Sequence, residues 1–201
     1  MIYISLIIGI IMFIIYIREI RKTKFTTRLI FIIGIFTALA YVLNLIKFIR
    51  MPQGGSITLF SMLPVMVLSL LYGKGVGLTS GILLGFLKML DGITFVHPVQ
   101  FLLDYILSNM ALGFSGMFGR DSKVKIFFGC IISGFLGVMF NVISGVVFFS
   151  EFAPENMNIW MYSIIYNFSS LGVEVFLTTI VMMFFPLDRI IKISKLQEVT
   201  K

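Results

Sequence analysis

With 201 residues, 59% of them hydrophobic and 12% charged, the chain carries more apolar surface than one soluble core of this length can bury, which makes a lipid bilayer its solvent. The formal net charge of +7 does not point to nucleic acid, because the basic residues fall at the ends of apolar segments and not along a groove interleaved with aromatics. A single cysteine, Cys130, excludes both an internal disulfide framework and a Cys-based zinc site.

A membrane helix needs about 20 apolar residues, with roughly 17 as the lower bound, and the hydropathy predicts seven. In chain order they span 1–17, 26–49, 56–72, 75–91, 98–118, 125–149 and 158–186. The first has no basic region before it and no small-residue cleavage pattern after it, so it reads as an uncleaved helix. In the second, Gly34 and Ala38 form a small-x-x-x-small pair that lets another helix approach closely. Pro64 falls inside the third, where its missing N–H predicts a kink or a break. The short polar or Gly/Pro-marked connections read as turns, and no linker separates the segments into two domains.

Sidedness follows from charge. If the loop carrying Arg18, Arg21, Lys22 and Lys24 is cytoplasmic, alternation puts Lys74, Arg120 with Lys123, and the tail with Arg189, Lys192, Lys195 and Lys201 on the same side. The opposite loops hold only Lys47 and Arg50. The positive-inside rule then predicts a multi-pass protein of the cell membrane, amino terminus outside and carboxyl terminus cytoplasmic.

Catalytic signatures are absent. There is no GxxxxGK[ST] loop and no HExxH, and the one histidine, His97, precedes Pro98 at a helix start. No enzymatic activity and no cofactor are expected. The run Gly73, Gly75, Gly77 and Gly81 lacks the preceding strand of a phosphate-binding fingerprint, so it is read as a tight turn followed by close helix packing. Asn167-Phe168-Ser169 matches a glycosylation triplet only by letters, inside a predicted membrane helix.

The informative residues are polar ones placed in lipid. A carboxylate at the centre of a membrane helix costs on the order of 2.5 to 3.5 kcal/mol, so it normally faces a cavity or a partner. Asp104, with Tyr105 beside it and Asn109 about a turn further, makes one polar strip. Asn141, Gly145 and Phe149 share a face at i, i+4, i+8, and Tyr162, Tyr166 and Asn167 make a third strip. At about 1.5 Å per residue, Asp104 lies roughly 9 Å below the outer start of its helix. By the same measure Asn141 lies about 12 Å down, and Tyr162 with Asn167 about 6 to 14 Å. Carboxylate, carboxamide, phenol and aromatic groups at one level predict an outward-opening pocket for a small planar, cationic ligand. Interhelical hydrogen bonding alone is the competing account. Glu174 lies deeper without comparable sequence neighbours and reads as structural, while Lys88 and Asp91 read as a boundary pair about one turn apart.

Several stretches carry a resemblance. They are Met51-Pro52-Gln53-Gly54-Gly55-Ser56-Ile57, Ser61-Met62-Leu63-Pro64, Tyr72-Gly73, His97-Pro98-Val99-Gln100 and Leu103-Asp104-Tyr105, followed by Ser144-Gly145-Val146-Val147-Phe148-Phe149, Phe152-Ala153-Pro154-Glu155 and Tyr162-Ser163-Ile164-Ile165-Tyr166-Asn167. In order and spacing, over about residues 28 to 186, these resemble the thiamine-specific S-components of energy-coupling factor (ECF) transporters. The resemblance implies an all-α integral membrane protein, a six-helix S-component-like bundle over 25–187. To this the chain adds an extra N-terminal transmembrane helix with its basic loop (1–24) and a basic cytoplasmic tail (188–201). It implies that thiamine is captured outside and that the subunit joins an ECF energising module of one membrane scaffold and two ATPases, which alone use ATP. Gly34 and Ala38 match the small-residue face through which family members meet that scaffold.

Carried over by position, Asp104 stands at the family's acidic ligand position and Tyr105 at its neighbouring aromatic. Gly145, Tyr162 and Asn167 match further binding positions, and Phe149 an aromatic stacking position that is tryptophan in some members. Asn141 stands where histidine is common, and Leu84 and Gly55 where some members place tryptophan. These departures keep a thiamine precursor such as hydroxymethylpyrimidine, or another vitamin, open as ligand. A membrane assembly protein without transport, and an intramembrane enzyme, are the readings from other classes.

Overall fold

The computed structural model describes residues 2–51, 55–92, 94–190 and 192. Pro52, Gln53 and Gly54 of the first motif, and Lys195 and Lys201 of the tail, lie outside them. The described chain is mostly helical. Helix α1 is Ile2–Arg21 and α2 is Thr27–Leu45, opened by Thr26, whose hydroxyl accepts the Leu29 N–H at 3.2 Å. Strands β1 (Lys47–Arg50) and β2 (Ser56–Thr58) pair antiparallel. Then come α3 (Leu63–Tyr72) and α4 (Lys74–Lys88), continued by a 3-10 turn over Met89–Asp91. Helix α5 runs over 98–114 with a π-helical stretch at Leu102–Leu107. Helix α6 is Lys123–Phe148, and α7 is Ile159–Phe184 with a π-helical stretch at Phe168–Gly172.

Three of these, Thr27–Leu45, Lys123–Phe148 and Ile159–Phe184, are long and apolar enough to cross a membrane by themselves. The hydropathy segment at 56–72 is corrected: its hydrophobic residues run through strand β2 and a loop, leaving a helix of 10 residues, whereas the segment at 75–91 is helical throughout, in α4 and the 3-10 turn that continues it. The 26–49 segment likewise ends its helix at Leu45, because Lys47–Arg50 enters the hairpin. The bend expected at Pro64 is also corrected. Pro64 sits in the first turn of α3, where its absent N–H has no intrahelical partner to lose.

Small residues bring the helices together. Gly73, at φ +93°, makes the turn between α3 and α4. A Cβ on Gly81 would lie 2.8 Å from the Met110 Cα, and Gly85 faces the backbone of Tyr105 and Ile106 in the same way. The glycine run is therefore turn and packing, as its sequence context indicated, and it presses α4 onto the part of α5 that carries Asp104. Buried hydroxyls fasten the contacts: Thr37 and Ser80 pair at 2.7 Å between α2 and α4, and Ser115 donates to the Met66 carbonyl at 3.2 Å. Arg120 donates to the Leu70 and Leu71 carbonyls at 3.1 and 2.9 Å, satisfying the C-terminal end of α3.

Helix α1 leans on α4 and α5. Met12 packs with Leu103 and Leu107, the Tyr16 hydroxyl meets Thr79 at 3.2 Å, and Glu19 pairs with Lys74 at 3.5 Å. The outer face of α2 is left uncovered. Phe31 and Ile35 are about two-thirds exposed, Ala38 is exposed, and no atom lies within 4 Å of a Cβ added to Gly34. The small-residue pair does no packing work within the described chain.

Candidate functional site

A cavity of about 240 Å³ lies among α4, α5, α6, α7 and the β1–β2 hairpin. All seven residues singled out by sequence, Asp104, Tyr105, Asn141, Gly145, Phe149, Tyr162 and Asn167, line it.

Two hydrogen bonds prepare the α5 wall. His97 caps the helix by accepting the Val99 N–H on Nδ1 at 3.1 Å, with Pro98 fixing the first turn. Gln100, 1% exposed, donates to Asp104 at 2.7 Å and accepts from the Val96 N–H at 3.2 Å. That amide holds the carboxylate against the wall and leaves its remaining lone pairs for another donor. The π-helical stretch widens the turn at Asp104, and Asp104, Tyr105, Ser108 and Asn109 all reach the cavity. Tyr105 stacks on Phe101 with centroids 5.5 Å apart, and its hydroxyl accepts the Thr94 N–H at 3.1 Å.

The α6 and α7 walls present carbonyl oxygens. Asn141 donates through Nδ2 to Ser108 Oγ at 2.6 Å and to the Gly137 carbonyl at 3.0 Å, which commits both amide hydrogens. Asn167 donates through Nδ2 to the Ser163 carbonyl at 2.9 Å. Each is held by its own helix and offers an acceptor. Gly145 faces Ser163, so its lack of a side chain lets α6 approach α7. The rings of Phe149 and Phe152 lie 6.2 Å apart at the C-terminal end of α6, and those of Tyr162 and Tyr166 6.1 Å apart.

The hairpin closes the remaining side. Gly55, Ser56 and Thr58 line the cavity, and the Gly55 N–H donates to the Tyr166 hydroxyl at 2.9 Å. A Cβ on Gly55 would lie 3.1 Å from the Tyr166 ring, so a tryptophan would need the hairpin to move. Leu84 is fully buried in the core and is not among the lining residues.

Sequence reasoning missed two charged residues of this site. Glu174 is 1% exposed, lines the cavity and takes four hydrogen bonds from Thr58 and Ser61. Its partners stand more than 110 positions away, so no local pattern announced them. Lys88 lines the cavity as well, and its expected pairing with Asp91 is corrected: Asp91 pairs with Lys47 across to β1. The single turn separating Lys88 from Asp91 includes the start of the 3-10 stretch, which changes the rotation between them.

Among the lining residues the formal charges are two carboxylates, Asp104 and Glu174, against one ammonium, Lys88. One negative charge is left over in a cavity with aromatic rings at one end, an arrangement that complements a planar monocation.

Residues 30–194 match the family model described as thiamine transporter protein. The thiamine transporter ThiT of Bacillus subtilis is 35% identical over 192 residues, covering 87% of this chain and 99% of that protein. The thiamine transporter ThiT of Lacticaseibacillus paracasei is 30% identical over 138 residues, covering 61% and 69%. The solved structure of ThiT from Listeria monocytogenes superposes with a TM-score of 0.70 at 26% identity, covering 79% of this chain and 94% of that one. The family match begins after α1.

Proposed function

The chain belongs to the thiamine transporter protein family, and from that premise we propose that it is the substrate-capture subunit of an ECF-type importer, binding thiamine from outside. The observation that carries the reading is the convergence of Asp104, Tyr105, Asn141, Gly145, Phe149, Tyr162 and Asn167 on one cavity with one net negative charge. Thiamine pairs a cationic thiazolium with a neutral aminopyrimidine. Phe149 and the tyrosines supply ring faces, Asp104 accepts from the amino group or offsets the positive charge, and Asn141 and Asn167 supply acceptors.

In this reading α2 to α7 form the six-helix membrane domain and α1 is an added span. The amino terminus faces outside, and the basic loops face the ATPases of an energising module. The module's membrane scaffold seats on the uncovered Gly34 and Ala38 face of α2. Thiamine transport is also the role named for its relatives.

Calorimetric titration of the purified protein tests the ligand. Thiamine should bind tightly, and Asp104→Asn should weaken it about a hundredfold, on the order of the 1.5 to 3 kcal/mol of a hydrogen bond to a charged group. Absence of thiamine binding together with tight binding of hydroxymethylpyrimidine would replace the ligand. Labelled thiamine accumulating in cells without any energising ATPases would overturn the coupling.

A further inference from the structure

Lys88 ends α4 at the floor of the cavity. It lines the main cavity and also a void of about 20 Å³ bounded by Ser108, Asn109, Gly137 and Leu171, which lie inward of the aromatic end on their helices. Lysine ammonium groups in such surroundings are expensive unless a partner takes their hydrogens. Yet among the described residues no carboxylate comes within 4 Å of Lys88. The acids around it have other partners: Asp91 pairs with Lys47, Glu174 accepts from Thr58 and Ser61, and Asp104 accepts from Gln100 while keeping lone pairs for a ligand. Among the described residues Lys88 donates to no carboxamide oxygen either, while Asn109 and Asn141 are turned by their own N–H bonds to the Tyr105 carbonyl at 2.7 Å and to Ser108.

We propose that Lys88 is a ligand-contacting specificity residue, donating at the cavity floor to an uncharged ring nitrogen of the bound aminopyrimidine. The proposal rests on the thiamine reading. The acceptor is neutral because the charge count is already complete: two carboxylates, one ammonium and one cationic ligand sum to zero, and an anionic tail would upset it. The acceptor is a ring nitrogen because the ring faces that suit the thiazolium lie at the outer end, with Phe149 and Phe152, which leaves the aminopyrimidine for the floor. There Asp104 takes the amino group and Lys88 a ring nitrogen, and a pyrimidine held at both edges is fixed in orientation.

The test is a thermodynamic cycle by calorimetry with thiamine and two analogues in which either pyrimidine nitrogen is replaced by CH. The unsubstituted protein should lose about tenfold to a hundredfold for one of the analogues. Lys88→Met should lose the same factor for thiamine and bind that analogue no worse than the unsubstituted protein does. If Lys88→Met weakens all three ligands equally, or leaves thiamine untouched, the proposal is overturned. It is also overturned, whether or not the variant folds, if neither analogue binds the unsubstituted protein more weakly than thiamine. Failure of thiamine itself to bind would instead bring down the underlying ligand assignment, so the two failures are distinguishable.

Discussion

Thr58 gives both its backbone N–H and its hydroxyl to the carboxylate of Glu174, at 3.0 and 2.6 Å. Ser61 repeats the arrangement at 3.1 and 2.9 Å, so one buried acid on α7 fastens the chain leaving the hairpin. Three of the four donors converge on Oε1 and one on Oε2, all from the chain that follows β1. Glu174→Gln should therefore be costly, because its NH2 would face donors. We expect a destabilisation of about 2 to 4 kcal/mol, read as a lower midpoint of thermal unfolding in detergent, with weaker thiamine binding. An unchanged midpoint would mean that the carboxylate does not hold the loop.

Asp104, Asn141 and Asn167 were legible in the sequence because lipid leaves polar side chains few uses, and helical spacing gave their faces and depths. Glu174 and Lys88 were not, although they are polar residues of the same kind. Glu174 acquires its meaning from Thr58 and Ser61 on the other side of the fold, and Lys88 from helices brought near by Gly81 and Gly85. The hairpin was hidden for another reason. Ser56–Thr58 lies in an apolar stretch continuous with α3, and periodicity does not separate a short buried strand from a helix start.

Tyr166 holds the other end of the hairpin through the Gly55 N–H. Tyr166→Phe removes that acceptor and keeps the ring. The cost should be about 0.5 to 1.5 kcal/mol, appearing as a severalfold to tenfold weaker affinity carried mainly by faster dissociation. Stopped-flow release of thiamine checks it, and an unchanged dissociation rate would show that this bond does not restrain the hairpin.

Gly145 sets the spacing of two binding walls. A Cβ there would collide with the Ser163 hydroxyl, which itself donates to the Val142 carbonyl at 2.8 Å, and would lie 3.6 Å from Asn167 Nδ2. Gly145→Ala must push α7 away or break that bond, at about 1 to 3 kcal/mol. Because Asn167 is anchored to Ser163, the displacement reaches the site. Thiamine affinity should fall at least tenfold, and calorimetry showing native affinity would refute the close-approach argument.

If the scaffold seats on the uncovered face of α2 as proposed, substitutions there separate binding from transport. Among the described residues no atom lies within 4 Å of a Cβ added to Gly34, and Ala38 is exposed, so leucine at both positions is expected to point away from the rest of the fold. Replacing a mid-helix glycine by leucine should favour the helix by roughly 0.5 to 1 kcal/mol. The double variant Gly34→Leu with Ala38→Leu should consequently unfold no earlier than the unsubstituted protein and bind thiamine with the same affinity. A scaffold helix that approaches over the small residues, however, would be held off by two branched side chains and lose its packing. Uptake of labelled thiamine by cells carrying the energising module should drop severely while purified binding stays intact. Uptake at the level of the unsubstituted protein would show that the partner seats elsewhere, whereas loss of both binding and uptake would show that α2 is needed for the fold of the cavity itself.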